Sequence, residues 1–190
     1  MQNDRYGGRR SLMRLKTKRL LLRPFETVDV EDSLEYRNDS EFARYLAHVP
    51  QPFTRSDAEE FVRVNMAEPF DRSATFAVVL DGKVIGSINL EIDEATRTAM
   101  LGYGISRSYW NLGLTTEAAE AVLEWGFGTL NLTLIWASTS LGNLRSQRVL
   151  QKLGMTPQPW TKEPKFAVTN EEWLTLHLRV SAQPKLRGEA

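Results

Sequence analysis

The sequence predicts a single mixed α+β domain, and three observations carry that reading. Helix-capping signals crowd the first third of the chain, a strand meander surrounds Asp81-Gly82, and helical and strand patterns alternate afterwards. At 190 residues, with 42% hydrophobic and 25% charged content, the chain fits one domain of the common ~100–200-residue size. No internal repeat, low-complexity tract or linker divides it.

Leu20-Leu21-Leu22-Arg23-Pro24 reads as a first strand that stops at proline, which cannot donate to a ladder. Thr27 is the expected N-cap of a helix over Val28 to Arg37, broken by the turn residues Asn38-Asp39-Ser40. A short helix is expected over about 41–46. Thr54-Arg-Ser-Asp and Ser56-Asp-Ala-Glu59 both have capping-box spacing, ahead of a helix through about Met66.

The meander comprises Thr75 to Leu80, the Asp81-Gly82 hairpin signal, Lys83 to Ile92, and Arg97 to Ile105. A helix from about Thr116 to Leu130 places Glu117, Glu120 and Glu124 on one stripe. Its other faces carry Ala118, Ala121, Val122, Trp125 and Phe127, which suits packing on a sheet. Leu132 to Ser138 reads as a buried strand, Asn143 to Leu153 as a helix ended by Gly154, and Trp173 to Val180 as a final strand. The expected organisation is a flexible basic arm over 1–14, a domain over 15–180 and a polar tail over 181–190.

Lysine plus arginine equals aspartate plus glutamate at 24 each, so no global basic field favours nucleic acid. The absence of cysteine removes disulfides, thiolate nucleophiles and Cys-type zinc sites. His48 and His177 stand in no metal-binding spacing, so no metal is expected. The basic N-terminus lacks the apolar region of a secretory signal, and no run of ~18 apolar residues is present. The expectation is a cytoplasmic protein with no membrane partner, monomeric or homodimeric.

Chemistry concentrates in 109-YWNLGLTTEA-118. A helix start leaves about four N–H groups unpaired at the positive end of a macrodipole, a ready anion site. Backbone amides can cradle a phosphate only where side chains stay clear, and Gly113 meets that need. Two readings stand: Gly113 opens a phosphate cradle, or it shapes the turn while Thr115 or Thr116 caps the helix. Downstream, Ser146 shares the apolar stripe of Val149, Leu150 and Leu153, opposite Arg145, Arg148 and Lys152. Asn143 suits an N-cap, Ser146 suits packing or a polar role, and the cationic stripe suits solvent or a phosphate.

Taken together, Arg19-Leu-Leu-Leu-Arg-Pro24, Asp81-Gly-Lys-Val-Ile-Gly86, the Tyr109–Ala118 stretch and Asn143-Leu-Arg-Ser146…Gly154-Met155 resemble the GNAT N-acetyltransferases, in particular the RimJ/RimL ribosomal-protein type. The resemblance spans about Leu15 to Val180. It implies an α+β fold with a mixed, largely antiparallel central sheet, a splayed parallel strand pair and helices on both faces. It also implies acetyl-CoA as co-substrate, with contacts from Ile105, Leu112, Gly113, Leu114, Thr115, Thr116, Asn143, Ser146 and Arg148. The matching asparagine bonds the pantetheine region in the family, and the matching serine lies near the thioester sulfur. Glycine is usual at Asn111, a basic or amide residue at Leu112, and alanine or glycine at Thr115. Asparagine is the non-glycine residue that best tolerates positive φ, so Asn111 is expected to keep the turn.

Acetyl transfer needs a neutral amine, so a base or a water chain must take a proton. The family often has a glutamate where this chain has Met100. Alternation puts Glu91 and Asp93 on one strand face nearby, either as a charged solvent face or, for Glu91, as a catalytic group orienting a water. Tyr103 and Trp110 are read as packing residues. The expected function is direct acetyl transfer from acetyl-CoA to a primary amine, a protein N-terminus or a small molecule, in a ternary complex. The alternative is an acyl-CoA-binding module, weak or inactive in catalysis, that senses or scaffolds.

Overall fold

The computed structural model describes residues 13–46, 48–159 and 162–181. Except for Met13 and Arg14 the expected arm falls outside these residues, as does the tail beyond Ser181. Eight strands form one sheet: β1 (Leu15–Lys16), β2 (Leu21–Arg23), β3 (Ser73–Leu80), β4 (Lys83–Asp93), β5 (Thr98–Ile105), β6 (Leu134–Ser138), β7 (Thr156–Gln158) and β8 (Lys165–Thr169). Their order is β1-β2-β3-β4-β5-β6-β8-β7, and every neighbouring pair is antiparallel except β5–β6.

Helices cover both faces of the sheet. α1 (Val30–Arg37), α2 (Ser40–Ala43) and α3 (Arg55–Ala67) lie on one side, where Phe25, Tyr36, Phe42 and Val62 meet Ala77, Val79 and Val84. α4 (Leu114–Gly128) and α5 (Leu144–Lys152) lie on the other, where Val122, Leu123 and Leu150 are buried with Phe76, Ile88, Leu90 and Ile135. Alternation along β3 to β5, interrupted by a bulge between the pairs Val78–Gly86 and Val79–Val84, feeds these two cores from opposite faces.

Local chemistry sets the element boundaries. The first helix is not capped by Thr27: a 3-10 turn over Thr27–Asp29 precedes it, and the Asp29 carboxylate accepts from the Glu26 N–H at 2.8 Å. Asp29 also pairs with both terminal nitrogens of Arg23 at 2.7 Å each, locking β2 to that turn in a buried ion pair. Asp39 caps α2, accepting from the Glu41 and Phe42 N–H groups, and Thr54 with Asp57 caps α3. Asp81 and Gly82 take positive φ of 49° and 84°, as a tight hairpin requires.

The expected final strand over Trp173 to Val180 is instead α6 (Asn170–Ser181). The Thr169 hydroxyl accepts from the Glu172 N–H at 3.2 Å while the Glu172 carboxylate accepts from the Thr169 N–H at 2.8 Å. This is a Thr-x-x-Glu capping box, and it starts a helix where apolar alternation suggested a strand. The last strand position belongs to β8, whose Phe166, Ala167 and Val168 are buried. Among the described residues no helix is long and apolar enough to cross a membrane.

Candidate active site

The parallel pair β5–β6 is joined only from Thr98–Leu134 to Met100–Trp136. Beyond it β5 runs on to Ile105 beside β4, while β6 stays with β8 to Ser138. The strands therefore part, leaving the β5 edge from Leu101 to Ile105 without a neighbouring strand. A cleft of about 220 Å³ opens along this edge, walled by β5, the start of α4 and one face of α5. Phe42 and Leu46 close a fourth side. Their approach needs Gly104, where a Cβ would stand 2.9 Å from the Phe42 ring. The Tyr45 hydroxyl reaches across to donate to the Gly142 carbonyl at 3.1 Å.

At the mouth of α4 the chain turns through Asn111 (φ 62°) and Gly113 (φ 76°). Asparagine thus keeps the positive φ that glycine would otherwise supply. Gly113 is itself the N-cap residue, so Thr115 and Thr116 lie inside the first turn and do not cap the helix. The first helical bond runs from Glu117 N–H to Gly113 O at 3.0 Å, which leaves the N–H groups of Leu114, Thr115 and Thr116 without helical partners. A Cβ at Gly113 would have only Arg19 Nη2, at 3.7 Å, within contact range. Gly113 is thus required by its positive φ and not by crowding, and the three free N–H groups that follow it can serve an anion.

An acidic first turn at an anion site is resolved by the direction of Glu117. Its carboxylate accepts from the Thr17 hydroxyl at 2.6 Å, the Arg19 N–H at 2.8 Å and Arg19 Nε at 2.6 Å. Burial would raise its pKa, but these donors outweigh it and hold the group below the usual carboxylate range. Arg19 Nη1 also donates to Leu112 O at 2.9 Å, so one guanidinium joins the N-terminal segment, the loop and the helix.

On α5, Asn143 caps the helix by accepting from Ser146 N–H at 3.2 Å. The Ser146 hydroxyl meets the Tyr103 hydroxyl at 2.9 Å. Burial pushes the Tyr103 phenol up to about 12, partly offset by this bond. Arg145, Arg148 and Lys152, read as a stripe that could face solvent, line the cleft. Arg145 stacks over Trp110 at 4.7 Å, and Trp110 Nε1 donates to Ile105 O at 2.7 Å. Among the described lining residues the one carboxylate is Glu41, paired with Arg44 at 3.6 Å. The cleft is therefore cationic, which suits a polyanionic ligand.

The cleft brings together Ile105, Gly113, Leu114, Thr115, Thr116, Asn143, Ser146 and Arg148. The Ile105 and Leu114 side chains are buried in the core, so what they offer the cleft is backbone. Leu112 is outside it: its side chain is exposed and its carbonyl is held by Arg19. Glu91 is also outside, in a neighbouring groove with Glu68, Arg72, Met100 and Trp136, directly opposite Met100 in register. Asp93 serves its own turn, accepting from Ala95 and Thr96 N–H groups. Sequence reasoning missed Tyr45 and undervalued Tyr103 and Arg19. The face of Tyr103 was legible from alternation, but its partner on α5 was not.

A family model for the acetyltransferase (GNAT) domain matches residues 19–156. The chain is 34% identical over 174 residues to the uncharacterized N-acetyltransferase YnaD of Bacillus subtilis (strain 168), covering 85% of this chain and 99% of the relative. The solved GNAT-family acetyltransferase from Bacillus anthracis has TM-score 0.75 and 31% identity, over 84% of this chain and 99% of that one. The spermidine N(1)-acetyltransferase of Escherichia coli (strain K12) is 28% identical over 142 residues, 71% of this chain and 72% of the relative.

Proposed function

The chain belongs to the GNAT acetyltransferase family and is an acetyl-CoA-dependent N-acetyltransferase; within that activity we propose that it acetylates α-amines, of peptide N-termini as in the RimJ/RimL type or of small molecules. The observation that carries this reading is the absence of a free carboxylate or imidazole among the described cleft residues. An acceptor must then arrive largely neutral. At pH 7 an ammonium of pKa ~10 is about a thousandth neutral, whereas an α-amine of pKa ~8 is roughly a tenth neutral.

Acetyl-CoA is the substrate these walls suit. The amides from Leu114 to Thr116 receive the pyrophosphate, Arg148 with its neighbours on α5 the 3′-phosphate, and Asn143 and the free β5 edge the pantetheine arm. The amine attacks directly in a ternary complex, because the chain has no cysteine to carry an acetyl thioester. Its lone pair forms the C–N bond, the C–S bond breaks with its pair going to sulfur, and Ser146 hydrogen-bonds that sulfur. The proton lost by nitrogen balances the one gained by the thiol and leaves nitrogen through water, with Glu91, outside the cleft, at most the far end of that relay. A sensor without turnover draws nothing from the altered loop, since Asn111 and Gly113 keep its conformation.

Matched peptides with free or blocked N-termini, assayed with acetyl-CoA and mapped by mass spectrometry, test this. Faster modification of the α-amine than of lysine at neutral pH is expected, with Glu91→Gln costing about tenfold or less, below the 10²–10⁴-fold of a dedicated base. Faster lysine modification, or an essentially dead Glu91→Gln, contradicts the reading.

A further inference from the structure

The contact between Tyr103 and Ser146 joins two walls of the cleft at the place where β5 has lost its neighbour. Ser146 lies in the first turn of α5, where the carbonyl four residues back precedes the N-cap Asn143. Here that carbonyl, Gly142 O, already accepts from Tyr45, and the Ser146 hydroxyl meets the Tyr103 hydroxyl at 2.9 Å instead. A hydroxyl carries one donor and two acceptor positions, so the direction of this bond decides where the serine proton points. The phenol of Tyr103 also lies 3.3 Å from the Ser146 carbonyl, a longer and weaker alternative.

Resting on the acetyl-transfer reading above, we propose that Tyr103 is a positioning residue: its O–H donates to Ser146 Oγ and leaves the serine O–H aimed at the sulfur that departs from the acetyl group. In that arrangement the two hydroxyls have different tasks. When the C–S bond breaks, the electron pair stays on sulfur and the serine O–H hydrogen-bonds to it. The proton that completes the thiol is the one released by the attacking nitrogen, so Ser146 and Tyr103 both end as they began. Burial keeps the phenol protonated up to about 12, well above a thiol of pKa ~8.5, so Tyr103 does not surrender its proton to the sulfur.

Tyr103→Phe keeps the ring against the core and removes only the hydroxyl. The first readout needs no acceptor: the ultraviolet absorbance of the thiolate of bound CoA, titrated with pH, gives the thiol pKa in the cleft. The expected result is a pKa below that of free CoA in the wild type, lost in Ser146→Ala and largely lost in Tyr103→Phe. The double variant should go no further than Ser146→Ala. With an N-terminal peptide as acceptor, kcat should fall roughly tenfold in Tyr103→Phe, the scale of one hydrogen bond, while the acetyl-CoA KM stays within about twofold. An active wild type with an unresponsive Tyr103→Phe overturns this inference alone. Equal losses from Tyr103→Phe with and without Ser146 overturn it too, since the hydroxyls would then act independently. If Tyr103→Phe does not fold, a thiol pKa unmoved by Ser146→Ala overturns it by itself. A wild type that binds no CoA and acetylates no amine overturns the acetyl-transfer reading and this inference together.

Discussion

Arg19 Nε stands 2.6 Å from the Glu117 carboxylate, so the acid at the mouth of α4 is engaged with the N-terminal segment and not with the cleft. The same guanidinium holds Leu112 O. A carboxylate in the first helical turn ordinarily competes with any anion bound there. Turned outward and paired, Glu117 instead anchors the residue that braces the loop.

That brace predicts an affinity effect from a residue with no assigned contact to the substrate. Arg19→Ala should raise the acetyl-CoA Kd on the order of tenfold, the scale of one charge-assisted hydrogen bond, with the fold retained. Isothermal titration calorimetry checks it, and an unchanged Kd contradicts the bracing role.

The depressed pKa of Glu117 also has a sign. The unfolded chain takes up its proton at a higher pH than the folded one, so stability rises with pH through that window. The contribution is fully present above the unfolded value near ~4.3 and is lost as pH falls through the folded value. Urea unfolding from pH 6 to pH 3 should show this loss in the wild type and a shallower one in Glu117→Gln. Equal slopes would contradict it.

Gly113→Val should abolish acetyl-CoA binding in a folded protein. The loop holds φ 76° at this residue, strained for a β-branched side chain by roughly 1–2 kcal/mol, so valine would turn the loop out of the conformation that presents the amides. Calorimetry with circular dichroism on the same sample separates lost binding from lost fold.

Much of this site was legible in the sequence because its signals are local. Gly113, Asn143 and Ser146 sit at helix starts, where backbone geometry restricts residue choice, and Asp81-Gly82 marks where the meander turns. Contacts between residues far apart in the chain were not legible: Arg19 meets Glu117, Tyr45 meets Gly142, and Tyr103 meets Ser146 only after the sheet assembles. The missed α6 is different, because its capping box over Thr169–Glu172 was present in the sequence. The apolar alternation of Leu174, Leu176, Leu178 and Val180 outweighed it.

The buried pair of Arg23 and Asp29 belongs to stability. Asp29→Ala leaves the buried Arg23 guanidinium with only the Pro24 carbonyl at 3.0 Å and the longer Glu26 contact at 3.7 Å, a loss of up to about 3–5 kcal/mol. Urea denaturation should show that loss, while the folded fraction binds acetyl-CoA as the wild type does. A loss below about 1 kcal/mol would contradict the buried-pair assignment, since exposed pairs contribute that little.

The central claim is that the cleft beside the splayed strands is an acetyl-CoA site, and a thermal-shift comparison of acetyl-CoA, NAD and ATP on the wild type and Gly113→Val tests it most directly. At a hundredfold excess over Kd, acetyl-CoA should raise the wild-type Tm on the order of 5–10 °C. NAD and ATP should do little, and Gly113→Val should respond to none of the three. Equal shifts from all three ligands, or an acetyl-CoA shift that survives Gly113→Val, would contradict it.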